Sequence, residues 1–283
     1  MLSLAAVAVA LACGAPAHAD GESAPVVTER TRASLVTDGA AVAPGASAPV
    51  ALRLRLKPGW HTYWRNPGDS GEPPAVRLRV GDRDVEGPAI WPIPERIDIA
   101  GIVSYGHHGD VKLVTMVPIP ASAVPGSTVR IEAEARWLVC EKVCVPEQGR
   151  FALDVPVAAS AAPTAKERAG SLYPPTLPRA DAIFAPAGGN WTLRAVPAPS
   201  AGGDAAVTSA YFFPERGDQI DHSAPQAMRV ADGAIALDLA LTQPAPPLPE
   251  SLRGVLAVTR ASAGGAPQVQ YFEIAARPET ASR

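Results

Sequence analysis

The sequence predicts an all-β fold: two β-sandwich domains joined by a Pro- and Ala-rich linker. Three observations carry that reading. Apolar and polar residues alternate with period two in many short segments, the pattern of strands with one buried and one wet face. Turn residues separate those segments. Proline and glycine are abundant, 31 and 24 of 283 residues, and proline breaks helices while tolerating turns and sheet edges.

Taken in order, the chain opens with an apolar run, Leu2 to Ala12, and an A-x-A site at Ala17-His18-Ala19. That reads as a secretory signal peptide over residues 1–19, too short for a membrane span. No Lys or Arg precedes the run. Cys13 offers a lipoprotein reading, but Ala10 stands where such signals carry Leu, so Cys13 is expected to leave with the leader. The remainder is too long for one small sandwich and suits two domains.

A first domain is expected over residues 26–158. Val50, Leu52, Leu54 and Leu56 alternate with Arg53, Arg55 and Lys57; Val76, Leu78 and Val80 alternate with Arg77 and Arg79. Val129 to Trp137 and Phe151 to Val157 repeat the pattern. Lys57-Pro58-Gly59, Asn66-Pro67-Gly68-Asp69, Gly81-Asp82 and Pro125-Gly126 mark turns between them. The pattern fails over residues 159–189, read as the linker, with at most one short helix at Thr164–Leu172. A second β-pattern covers residues 190–279: Trp191 and Leu193, Tyr211-Phe212-Phe213, Ile235 to Leu241, Leu256 and Val258, Phe272 and Ile274. Several short strands divided by turns suggest antiparallel sandwiches.

Net charge is −3 with no basic stripe, which argues against nucleic acid as a partner. No G-x-S-x-G occurs, so a serine-hydrolase reading fails. Asp98 and Asp110 read as solvated loop carboxylates.

The chemistry concentrates in WLVCEKVCVPEQG, Trp137–Gly149, which holds the only two cysteines outside the leader. In an exported chain an even pair of cysteines points to a disulfide. Strand alternation puts residues 129 to 137 on the core face and Cys140 on the opposite, polar face, where a structural cysteine is less expected. A bond closing a loop of about five residues stabilises by roughly 2 kcal/mol, against about 4–5 for a long loop. Spacing and phase leave two readings open: a working redox pair and a local staple. A third is a metal site in which Cys140 and Cys144 join His107, His108, His61 or Met116; the Cys-x-x-x-Cys spacing is not the usual one for zinc, but two thiols with imidazoles suit copper or zinc. Against it, His107-His108 between Gly106 and Gly109 reads as a polar turn. No helix N-terminus lies at the pair to lower a thiol pKa; Glu141 opposes thiolate formation and Lys142 favours it.

GWHTYWRNPGDSGEPP (Gly59–Pro74), IVSYGHHGDV (Ile102–Val111) and ARWLVCEKVCVPEQG (Ala135–Gly149) together resemble the N-terminal periplasmic region of the DsbD/ScsB family of transmembrane thiol–disulfide reductases. YFFPERGDQIDHSAPQ (Tyr211–Gln226) is similar to the extra β-domain of the ScsB type, which is linked to copper tolerance. The resemblance covers roughly residues 26 to 277. It implies immunoglobulin-like domains, a periplasmic location, no cofactor, and Cys140 and Cys144 as the redox pair. It also implies partners: a transmembrane reductase domain as electron donor and periplasmic thioredoxin-fold disulfide proteins as acceptors. The membrane and thioredoxin-like domains are absent from this sequence, so a fragment or a free-standing electron module is expected. The family guards its pair with a cap loop whose Phe precedes Tyr-Gly; here Ser104 stands in that place, leaving Tyr105 or His107 as the expected shield. The resemblance assigns the partner-bound sulfur to Cys144 and resolution to Cys140; the local sequence agrees, since Pro146 after Val145 removes a backbone donor and opens that edge to a partner. The alternatives are a metal-binding copper-resistance module and a β-sandwich with an inert disulfide.

Overall fold

The computed structural model describes residues 21–88, 90–160, 172–198, 205–262 and 265–279. The leader and most of the expected helix at Thr164–Leu172 lie outside them. Eighteen strands and no helix are found among the described residues. Among the described residues no helix is long and apolar enough to cross a membrane.

The first domain is a two-sheet sandwich. One sheet runs β1 (Val26–Val27), β2 (Thr31–Val36), β3 (Ser47–Leu56) and β9 (Asp110–Pro118), all antiparallel. The other runs β6 (Arg83–Gly87), β5 (Ala75–Val80), β10 (Thr128–Cys140), β4 (His61–Gly68), β8 (Ile102–His108) and β7 (Glu95–Ile99), with β11 (Cys144–Pro156) on the far edge of β10. The period-two segments lay their apolar members between the sheets. Leu52 and Leu54 from one sheet meet Leu78, Ile131, Val139 and Leu153 from the other, all buried. Each fully buried residue of this size is worth about 1.5–3 kcal/mol of transfer free energy.

β10 organises the site. Along one edge it pairs with β11 over its whole length, Thr128↔Pro156 to Cys140↔Cys144. Along the other it pairs with β5 over residues 131–136 and then with β4 at Cys140↔His61.

The second domain is one curled seven-stranded sheet. Its order is β14 (Val207–Pro214), β17 (Leu252–Arg260), β18 (Gln268–Pro278), β12 (Arg179–Ala187), β13 (Asn190–Val196), β16 (Ala234–Leu239) and β15 (Ala227–Ala231). β12 pairs parallel with β18 and antiparallel with β13, so it hands the chain from one half of the sheet to the other. The halves enclose one core around Phe184, Leu193, Phe212, Leu237 and Leu256.

The boundary at 190 needs correcting. β12 lies inside the segment read as linker, because its alternation is broken by Pro186 and by half-buried Ile183. Leu172, 6% exposed, also leaves the linker: it packs on Val36, Ala51 and Val114 of the first domain.

Candidate functional site

Cys140 and Cys144 form a disulfide, with Cα atoms 4.2 Å apart. They are register partners at the turn end of the β10–β11 hairpin, joined by Glu141-Lys142-Val143. The two sulfurs differ in access. Cys140 is 3% exposed, whereas Cys144 is exposed beside Val143, itself 64% exposed.

The alternation does place Cys140 on the face opposite the core, since Val139 points inward. That face is dry at this end of the strand, contrary to the polar surface expected there. Two features cover it. β4 lies alongside at Cys140↔His61. Tyr63, two residues on and on the same face, donates its hydroxyl to Cys140 Sγ at 2.8 Å and lies 3.5 Å from Cys144 Sγ. Burial raises the Tyr63 phenol above its ordinary pKa, with Ser70 beside it acting the other way. The segment after β4 folds across the ring. A Cβ at Gly71, where φ is +98°, would sit 2.1 Å from a Tyr63 ring carbon, so only glycine fits both the backbone and the ring.

Tyr105 is not the shield. On β8 the residues facing the disulfide are Ser104, Gly106 and His108, through the pairs Tyr63↔Gly106 and His61↔His108. Tyr105 and His107 alternate to the other side. Tyr105 is fully buried against the second domain: its hydroxyl is 2.9 Å from that of Tyr211, and its ring packs edge-on against Phe213 and His222. His107 lies opposite Thr62, 4% exposed, and burial holds its pKa down to about 4. Val145 is also misplaced on the partner side. It pairs with Val139 and packs against the first-domain core. Pro146 is exposed.

Sequence reasoning missed Tyr63 and Val143. The HTYW alternation that puts His61 and Tyr63 on one face was legible, but which face met the sulfurs depended on β4 crossing to the end of β10.

Among the described residues no three His, Cys, Asp or Glu side chains come together as a ligand set. Met116 is on β9 in the opposite sheet, where its sulfur accepts from Tyr173 at 3.4 Å. Asp110 pairs with Arg53 and Asp98 with Arg96, as surface ion pairs.

The core-side face of β4 and β8 extends beyond the four-stranded sheet, and the second domain covers it. Trp64, Val103 and Tyr105 cluster with Phe213, Tyr211 and Val255. Polar contacts frame that cluster. Asn66 Nδ2 donates to Pro214 O at 2.8 Å and lies 3.3 Å from His222 Nε2; His222 Nδ1 lies 3.2 Å from Asp69 Oδ1; Arg65 pairs with Glu215 at 3.2 Å.

Residues 32–156 match the family model described as thiol:disulfide interchange protein DsbD, N-terminal. Among solved structures, the N-terminal periplasmic domain of ScsB from Proteus mirabilis superposes with a TM-score of 0.62 at 16% identity, over 92% of this chain and 99% of that one. The sporulation control protein Spo0M from Bacillus subtilis aligns at a TM-score of only 0.23 and 10% identity, over 87% of this chain and 91% of that one, and carries no argument. No curated protein matches by sequence.

Proposed function

Residues 32–156 belong to the DsbD N-terminal family, and from that premise we propose that the chain is a periplasmic thiol–disulfide interchange module. It takes two electrons from a membrane-embedded reductase domain and passes them to thioredoxin-fold disulfide proteins, in copper tolerance or in cytochrome c maturation.

The observation that carries the reading is the unequal access of the two sulfurs. Exchange needs in-line approach of one sulfur to another through a mixed disulfide. A partner reaches Cys144 past Val143 and Pro146, while Cys140 stays behind Tyr63. In the reducing direction the Cys144 thiolate attacks the partner disulfide and the partner's first sulfur leaves as thiolate. Cys140 then attacks Cys144 Sγ, the Cys144–partner bond breaks, and its electron pair leaves on the partner's second sulfur. The domain ends oxidised and the partner reduced by two electrons.

Cys140→Ser removes the resolving thiol, so covalent complexes with periplasmic proteins should accumulate on a non-reducing gel; Cys144→Ser should trap few or none. Equal trapping by both variants would overturn the division of labour. A disulfide that resists dithiothreitol until the domain unfolds would leave an inert staple in place of a redox pair.

A further inference from the structure

Four residues stand in one cross-strand row over four adjacent strands: His108 on β8, His61 on β4, Cys140 on β10 and Cys144 on β11. Register partners share a face, with Cβ atoms about 4.5–5.5 Å apart. The row therefore leads from the exposed sulfur, through the buried one, to a buried imidazole and an exposed one. His61 is 2% exposed and its ring packs edge-on against Tyr63 at 5.4 Å. The His61 and His108 rings are 5.6 Å apart. At the outer end, His108 Nδ1 lies 2.8 Å from Glu95 Oε2, and both side chains are open to solvent.

The exchange cycle has a proton to move at the one sulfur water does not reach. Cys140 must lose its thiol proton before it attacks Cys144, and regain one when the pair is reduced. A bare thiolate in that position would be poorly solvated.

We propose that His61 exchanges this proton with Cys140, and that His108, oriented by Glu95, connects His61 to solvent. The assignment rests on the redox reading of the pair. In the resolving step the Cys140 S–H bond breaks and its proton passes to a ring nitrogen of His61. The sulfur electron pair forms the bond to Cys144, and the Cys144–partner bond breaks with its electrons on the partner sulfur. His61 returns the proton to water by way of His108. Burial and the neighbouring His108 hold the His61 pKa down to about 4, so near pH 7 the ring is neutral with a lone pair free, and as a weak base it holds the proton only in passing before His108 and water take it. The charged and titratable groups around it are few. His108 faces it from β8, Cys140 from β10 and Tyr63 from its own strand; the Glu141 carboxylate lies against Gly59 at the entry to β4, with Lys142 next in the loop. His107 is on the opposite face.

The test separates the two sulfur steps in the full chain. Reduced protein treated with 5,5′-dithiobis-(2-nitrobenzoate) releases one thionitrobenzoate when Cys144 is capped and a second when Cys140 resolves the mixed disulfide. His61→Gln should slow the second release on the order of 10²-fold near neutral pH, the lower end for a lost proton-transfer group, and leave the first release unchanged. The deficit should shrink as pH rises, because hydroxide then takes the proton, a dependence that a merely structural role would not produce. His108→Ala alters only the surface and guards against misfolding of the buried variant. It should slow the same step by a smaller factor, with recovery in imidazole buffer. An unchanged second release in both variants, or a deficit that ignores pH and imidazole, would overturn the assignment. Absence of any thionitrobenzoate release from folded, dithiothreitol-treated wild type is a different signature; it overturns the redox reading and this assignment with it.

Discussion

One strand, β4, serves two unlike regions. At its start, His61 and Tyr63 turn outward and close over a disulfide whose second sulfur is open to solvent. Beyond Tyr63 its pairing with β8 shifts before resuming at Gly68↔Ser104. There Trp64, Arg65 and Asn66 all meet the second domain. The first region is lightly covered: one hydroxyl, one ring and a glycine-bearing segment stand between Cys140 and water. The second is a dense interface with an aromatic cluster and polar groups paired across it. The contrast separates reactivity from stability. Groups that must exchange sulfur partners are screened by little, whereas the face left open by the smaller sheet is sealed by a whole domain. Changes at the interface should therefore alter stability and spare the thiol chemistry; changes beneath the disulfide should do the reverse.

The largest expected effect is at the interface. Tyr105→Ala empties a fully buried aromatic site and leaves the Tyr211 hydroxyl short of a partner, and should cost about 3–5 kcal/mol in a denaturant titration. The alkylation rate of the reduced cysteines should hardly change. A raised alkylation rate with stability intact would return Tyr105 to the sulfur site and erase the contrast.

Acid should act next most strongly. The fold holds His107 neutral down to about pH 4, while an imidazole in the unfolded chain titrates near 6.5. Between those values the unfolded state binds more protons, so stability falls as pH drops through that window. The loss is roughly 3 kcal/mol for such a group. His61 contributes in the same direction, and so does His222, whose pKa burial lowers against the opposing pull of Asp69. Thermal melts from pH 7 to pH 4 check this. His107→Asn should flatten the profile; an equally steep loss in that variant would show that the acid response lies elsewhere.

The smallest effect belongs to the disulfide end. Tyr63→Phe keeps the ring and removes the hydroxyl that donates to sulfur, a change of about 1 kcal/mol. A donor favours electron-rich thiolate over disulfide, so its removal should make the couple more reducing by about 20 mV with little change in unfolding. Gly71→Ala, which forces the ring aside, should also speed alkylation of Cys140. If Tyr63→Phe destabilises the fold and leaves the couple unmoved, the hydroxyl is structural.

Much of this was legible in the sequence. Period-two alternation and turn residues depend on local chemistry, so the all-β class and the strands around Leu52, Leu78, Ile131 and Leu153 followed from them. The Cys140–Cys144 pair was legible because five residues of hairpin leave two thiols few other partners. Burial was not. Alternation says which side of a strand a residue takes, not what lies over that side. Cys140 kept its expected phase and is nonetheless dry, because β4 and the Gly71 segment arrive from far along the chain. Tyr105 looked like a lid from its neighbours Tyr-Gly, yet its parity on β8 turns it to the second domain. β12 went unread because Pro186 and Ile183 break its alternation, although it pairs with β13, the next strand, over most of its length. Local pattern therefore determined most of the strands and the sulfur pair, whereas Asn66-Pro67-Gly68 and His107-His108, expected as turns, lie within β4 and β8. Long-range pairing alone decided which sulfur faces the solvent, which tyrosine touches the other, and which imidazole stands beside it.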